Sequence, residues 1–276
     1  MTQNTTPNRR RRRLAALVVT GSLVVAGLSV GSLALFTDQI TSGGNTFDSG
    51  TIDLDLNGDT GDAVNALVTY ADMLPGASAT KVLSFANVGT GALRYAISAA
   101  VTDSTAFKDA LTLGIRAPIA VTFTDSGDLV NLTAHGLTGN TAVVFASVSG
   151  TTGITAGTTY FVKPTGLAAN SFQLTAAADD GAAIALTTDG SGTSCDGSNG
   201  TVVYATDTFT NANTAVKIVG DSAAGPDSGD RPLAVSGSEK LCLRAALPIG
   251  TSNTYQNLGP ATLSLTINAE QTLFNP

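Results

Sequence analysis

Four stretches of this chain alternate apolar and polar or small residues with a period of two, and nothing else in the sequence restricts the fold as much. TIDLDL sets Ile52, Leu54 and Leu56 on one side and Thr51, Asp53 and Asp55 on the other. LRYAISAAV puts Leu93, Tyr95, Ile97, Ala99 and Val101 on one face, LCLRAAL does so with Leu241, Leu243, Ala245 and Leu247, and TLSLTINAE with Leu263, Leu265, Ile267 and Ala269. This period belongs to strands with one buried face. The expected fold is therefore all-β, built from antiparallel strands in a sandwich or barrel. Thirty glycines and nine prolines, with abundant Thr, Ala, Ser and Val, suit many short strands joined by turns. Only DSTAFKDALTL, residues 103 to 113, reads as a helix, with Asp103 or Ser104 as its N-cap and Phe107 and Leu111 at i, i+4.

From Ala117 to Thr193 charge nearly vanishes and glycine recurs at turn positions. The segments IAVTFT, AVVFASV, TTYFVK, SFQLT and AIALTT follow one another as short strands. The flanking segments read as neighbouring parts of one domain, so residues 117–193 are expected to be a small β-sandwich, immunoglobulin-like module inserted into a discontinuous host domain, 35–116 with 194–276.

The N-terminus has the layout of a secretory signal: five arginines, Arg9 to Arg13, then an uncharged apolar run from Leu14 to Phe36 containing Ser32-Leu33-Ala34. Residues 1–34 are read as a signal helix cut between Ala34 and Leu35; a retained anchor is the alternative, since the run is long enough to span a bilayer. Cleavage would leave nine basic against twenty-one acidic residues, a charge of −12, which argues against nucleic acid as a partner. Export would also place the only two cysteines, Cys195 and Cys242, where a disulfide persists. Two unpaired buried thiols are the other possibility.

The segment ALFTDQITSGGNTFDSGTIDLDL resembles the start of the TasA/camelysin family. Phe36 and Asp38 carry the first part of the motif, and Asn45, Phe47, Gly50, Thr51, Ile52, Asp53 and Leu54 the second. Pro75, Gly76, Thr80, Lys81, Asn87 and Gly89 resemble the family's Pro-Gly turn, strand and Asn-x-Gly; Tyr255, Gln256, Ala269, Glu270 and Gln271 resemble its closing strands. In their own right, Pro75 and Gly76 fit positions i+1 and i+2 of a type II turn, and Gly89 fits a position of positive φ. The resemblance implies a jelly-roll host domain and a secreted subunit that polymerises into an extracellular, cell-surface or biofilm-matrix fibre. It also implies that the mature N-terminal segment is donated as a strand to the next subunit, here Leu35, Phe36, Thr37, Asp38, Gln39 and Ile40. The partners implied are the chain itself as a homopolymer, a dedicated signal peptidase and a minor fibre-anchoring subunit. AHGLTGNTAVVF, GITAGTTYFV and NSFQLT in the insertion resemble a small β repeat of phage-tail and large surface proteins, where it serves as a spacer or display unit.

Catalysis has little to stand on. There is no His-Glu-x-x-His, and the single histidine, His135, lies in the insertion, so neither a zinc peptidase site nor a Ser-His-Asp triad can be assembled in the host. No enzyme activity, cofactor or metal is expected. DLDLNGDTGD fits a calcium loop in part, with Asp53, Asp55, Asn57, Gly58 and Asp59, but Val64 stands where the loop's glutamate belongs. The acidic loop 220–231, with Asp221, Asp227 and Asp230, reads as a flexible turn. Two rivals to the fibre subunit remain: a surface binding module acting through the insertion, and a metallopeptidase of the camelysin type.

Overall fold

The computed structural model describes residues 51–57, 73–102, 107–197, 201–206, 216–221, 223, 228–255 and 261–272. In chain order the strands are β1 Leu54–Leu56, β2 Ser78–Asn87, β3 Leu93–Thr102, β4 Thr112–Arg116, β5 Ile119–Thr124, β6 Leu129–Asn131, β7 Ala142–Ser149 and β8 Thr159–Val162. They continue with β9 Ser171–Phe172, β10 Leu174–Thr175, β11 Gly190–Ser194, β12 Val202–Thr206, β13 Val216–Val219, β14 Arg231–Leu233, β15 Ser238–Ala246 and β16 Thr262–Gln271. The protein is all-β.

Two sheets form a β-sandwich. One runs β1-β2-β15-β4-β12; in the other, β3 pairs along its whole length with β16 and, on its other side, with β13 and β14. The alternation read from the sequence explains their contact. Leu56, Leu83, Phe85, Leu113, Ile115, Leu241 and Leu243 of the first sheet meet Leu93, Tyr95, Ile97, Ala99, Val101 and Leu233 of the second in one buried cluster. Phe85 and Tyr95 stack across the two layers with ring centroids 4.5 Å apart. Removing one such leucine side chain costs about 2–5 kcal/mol, because the packed neighbours cannot close the void.

The strands from Ile119 to Ser194 pair among themselves, in the order β10-β8-β7-β11-β5-β6-β9. The two edge strands of this sheet, β9 and β10, are separated by Gln173 alone, so the sheet curls until it is almost closed. It encloses a second cluster around Phe123, Phe145, Val162, Phe172 and Leu174.

Three local expectations fail. The described part of the expected helix 103–113 is not α-helical: residues 107–110 form a single 3-10 turn, and Thr112–Arg116 is a strand whose Leu113 and Ile115 alternate into the core, while Asp103 and Ser104 lie outside the described residues. AIALTT is no strand either. Leu186 is buried, but its N–H is taken by the Asp128 carboxylate at 2.8 Å and that of Ile184 by the Leu174 carbonyl at 2.8 Å. Its place is filled by β11, whose sequence GSGTS carries no alternation. Gly89 lacks the positive φ expected of it, whereas Gly76 has φ 90° and closes the Leu74–Ala77 turn through a 2.8 Å hydrogen bond from Ala77 N to Leu74 O. Gly89 is needed for close approach instead: a Cβ there would lie 2.4 Å from the Thr51 carbonyl oxygen.

Candidate assembly surface

The longest unprotected edge in the described fold is β16. It pairs with β3 without a register break, from Thr262 opposite Thr102 to Gln271 opposite Leu93, and β3 is its only partner among the described residues. Leu263, Leu265, Ile267 and Ala269 lie against the core, while Thr262, Ser264, Thr266 and Asn268 are exposed. An edge strand usually carries lysine, proline or a bulge to discourage pairing with another chain. Thr262–Gln271 holds neither lysine nor proline, and its ladder is unbroken.

The other edges are blunted. β1 has three residues, β9 and β10 two each, β12 shifts register between Val202 and Tyr204, and β14 contains Pro232.

Ion pairs fix the end of β16. Glu270 stands directly opposite Arg94 and binds its guanidinium, and Asp230 Oδ2 lies 3.8 Å from Arg94 Nε. Within the same end of the sandwich, Tyr95 donates its hydroxyl hydrogen to Glu239 at 2.7 Å, and Arg231 Nε donates to both oxygens of that carboxylate at 2.9 and 2.8 Å. Burial, followed by the Glu239 contact, pushes the Tyr95 hydroxyl far above its ordinary range. Burial also acts upward on Glu239, but hydrogen bonds from Arg231 and Tyr95 outweigh it and hold the carboxyl below its usual value.

On the outer face of the first sheet, Cys195 is bonded to Cys242, with Cα atoms 5.4 Å apart. The pair packs with Val144 and Ala146 of β7 and with Val82 of β2. Asp196 is buried beside it and accepts a 2.8 Å hydrogen bond from Val144 N. Burial pushes this carboxyl up to about 6, against the Val144 N–H, the Arg244 charge, the Thr80 hydroxyl and the Arg116 charge. Lys240 Nζ donates to Ala146 O at 2.7 Å and Arg116 to Gly197 O at 3.3 Å. Sequence reading missed these polar groups. The outward positions in the alternation of β15, held by Lys240, Cys242 and Arg244, were the available signal.

Ala34 and the segment Leu35, Phe36, Thr37, Asp38, Gln39 and Ile40 lie outside the described residues, as do Gly58 and Asp59 of the calcium-like loop. What is described of that loop is occupied structurally. Asn57 Oδ1 accepts from Ser84 N at 2.9 Å, and the Asp53 carbonyl accepts from Val88 N at 3.0 Å. His135 is buried; its Nδ1 accepts from Leu137 N at 3.0 Å, leaving Nε2 to donate to Ala168 O at 2.8 Å. Among the described residues no three His, Cys, Asp or Glu side chains are grouped to hold a metal ion. In the acidic loop, the Asp230 carboxylate accepts from Asp221 N at 2.8 Å and Lys217 binds Asp221, while Asp227 lies outside the described residues.

Among curated proteins none matches this chain. Residues 10–111, from the arginine run through the end of β3 and the turn after it, match the family model described as camelysin metallo-endopeptidase, and this stretch of the chain is thereby placed in the TasA/camelysin family.

Proposed function

We propose that the chain is a secreted structural subunit that polymerises into an extracellular or cell-surface fibre, each copy donating its N-terminal segment as a strand to the next. The observation that carries this reading is β16, ten residues of regular edge backed by a hydrophobic core and holding no lysine, proline or bulge. An extended peptide laid along such an edge pairs with its outward N–H and C=O groups, and alternate side chains set the register. Support also comes from the family matched by residues 10–111. The test is to express residues 35–276 and image them by electron microscopy. Fibres are expected, and removal of residues 35–42 should leave a folded monomer. Fibres of normal length from the shortened protein would sink strand donation.

The description of the matched family favours a second reading, a metallopeptidase. Casein turnover by the purified protein, abolished by a chelator, would establish that reading in place of the first.

A further inference from the structure

Five large apolar side chains are exposed among the described residues: Ile52, Leu74, Val88, Val235 and Ile249. Single exposed apolar residues are ordinary on a protein surface. The arrangement of these five is not, because they divide between the two ends of the β2–β15 ladder.

At one end, the Leu74–Ala77 turn is joined to the chain leaving β15 by hydrogen bonds from Gly76 N to Leu247 O (2.7 Å) and from Leu247 N to Ala77 O (2.9 Å). The Ile249 side chain lies over Gly76, where an added Cβ would come within 2.9 Å of its Cδ1. Leu74 and Ile249 are 67% and 82% exposed. At the other end, Val88 N binds Asp53 O at 3.0 Å and Thr90 N binds Thr51 O at 3.0 Å. Asn87 N reaches Gly237 O at 2.9 Å, and Asn87 Nδ2 reaches Ala234 O at 3.1 Å. These bonds gather three turns into one surface that presents Ile52, Val88 and Val235. Between the two ends runs the length of β2, about 30 Å at 3.3 Å per residue.

We infer that copies of this chain meet end to end, Leu74 and Ile249 of one copy packing on Ile52, Val88 and Val235 of the next; this rests on the fibre reading and names the contact that would set its axis. Three observations select a second copy as the occupant. First, the patches are unlike and lie at opposite ends of one direction. Such a pair makes a heterologous contact that does not close on itself and so extends indefinitely. Second, little charge has to be dehydrated. Residues 73–77 and 247–252 contain no ionisable side chain, and of 51–53, 88–90 and 234–236 only Asp53 is charged. Third, the described sandwich begins at Thr51, beside Ile52, so the chain enters it at the end that would meet the neighbour.

The strands from Ile119 to Ser194 do not obstruct this contact. β4 ends at Arg116, opposite Cys242, which is itself opposite Val82 in the middle of β2. The insertion thus leaves from mid-sheet, is tied to the sheet's outer face by the disulfide, and would project sideways from a stack.

Complementation by sedimentation and electron microscopy of the exported protein tests the contact. Ile249→Asp breaks one end and Val88→Asp the other. Each variant alone should sediment as a monomer, an equimolar mixture should form a dimer through its one intact pair of ends, and either variant added at one part in ten should shorten wild-type fibres several-fold. A variant that dimerises alone, a mixture that stays monomeric, or variant fibres of wild-type length would each overturn the end contact; in the last case the fibre reading survives. Wild type that remains monomeric overturns both. Melting temperatures check the fold, and if an aspartate unfolds the protein, the pair Leu74→Ser and Val235→Ser is read in the same way.

Discussion

The carboxylate of Asp196 accepts a 2.8 Å hydrogen bond from the backbone N–H of Val144, one residue along from a disulfide that reaches to β15. Together with the 2.8 Å bond from Cys195 N to Val144 O, this contact extends the pairing of β11 with β7 to the point where β7 packs on the sandwich. Burial raises the carboxyl to about 6, so the folded protein holds its proton more tightly than the unfolded chain does. The stabilising contribution is complete below about pH 4 and is lost as the pH rises through about 6, amounting to about 3 kcal/mol. Asp196→Asn keeps an oxygen for Val144 and removes the titration. Urea unfolding should show wild-type stability, relative to this variant, falling by about that amount between pH 4 and 7.5. A difference that does not change with pH would contradict the assignment.

The Cys195–Cys242 bond spans 47 residues of sequence. In the chain-entropy model such a closure stabilises by about 4 kcal/mol. The double variant Cys195→Ala, Cys242→Ala should lose most of this in denaturant titrations, whereas the wild type treated with a thiol reductant should approach the same midpoint. Equal midpoints for oxidised wild type and the double variant would show that the bond contributes no net stability.

Gly89→Ala would push a methyl group against the Thr51 carbonyl, 2.4 Å away, and Asp53 N, 2.7 Å away. Both are backbone atoms, so relief requires the segment Thr51–Asp53 that leads into β1 to move. A loss of about 2 kcal/mol is expected, in the range for overpacking, measurable as a lower urea midpoint. An unchanged midpoint would mean that residues 51–53 give way freely.

Thr266→Lys places a charge at the centre of the exposed face of β16 without touching the core. Stability should stay within about 0.5 kcal/mol of wild type, while fibre formation should fall sharply, because an edge lysine discourages strand addition. Normal fibres seen by microscopy would show that assembly uses a different edge.

The regular parts of this fold were written in the sequence and the irregular parts were not, for a physical reason. β3, β15 and β16 each bury one face, and a half-buried strand must alternate; hence Leu93 to Val101 could be assigned to the core from spacing alone. β11 sits centrally between β7 and β5, yet GSGTS has no apolar face to show. AIALTT shows one and is no strand, because the Asp128 carboxylate captures a backbone N–H that a ladder would need. Long-range side-chain contacts leave no local trace at all. Asn87 Nδ2 donates to Leu233 O and Ala234 O, almost 150 residues away, and only the family motif singled that residue out. Of the candidate site, the apolar face of β16 was legible, but that β3 is its one neighbour among the described residues is a property of the sheet order.

The nearly closed sheet formed by Ile119 to Ser194 has a bearing on how many neighbours one molecule can recruit. By bringing β9 and β10 to within one residue of each other, the sheet of residues 119–194 leaves only two-residue strands at its margins. Added mass therefore brings no added valency. On the proposed fibre reading, β16 is the long margin left for strand addition among the described residues, and filaments built through it would grow as unbranched lines instead of a network.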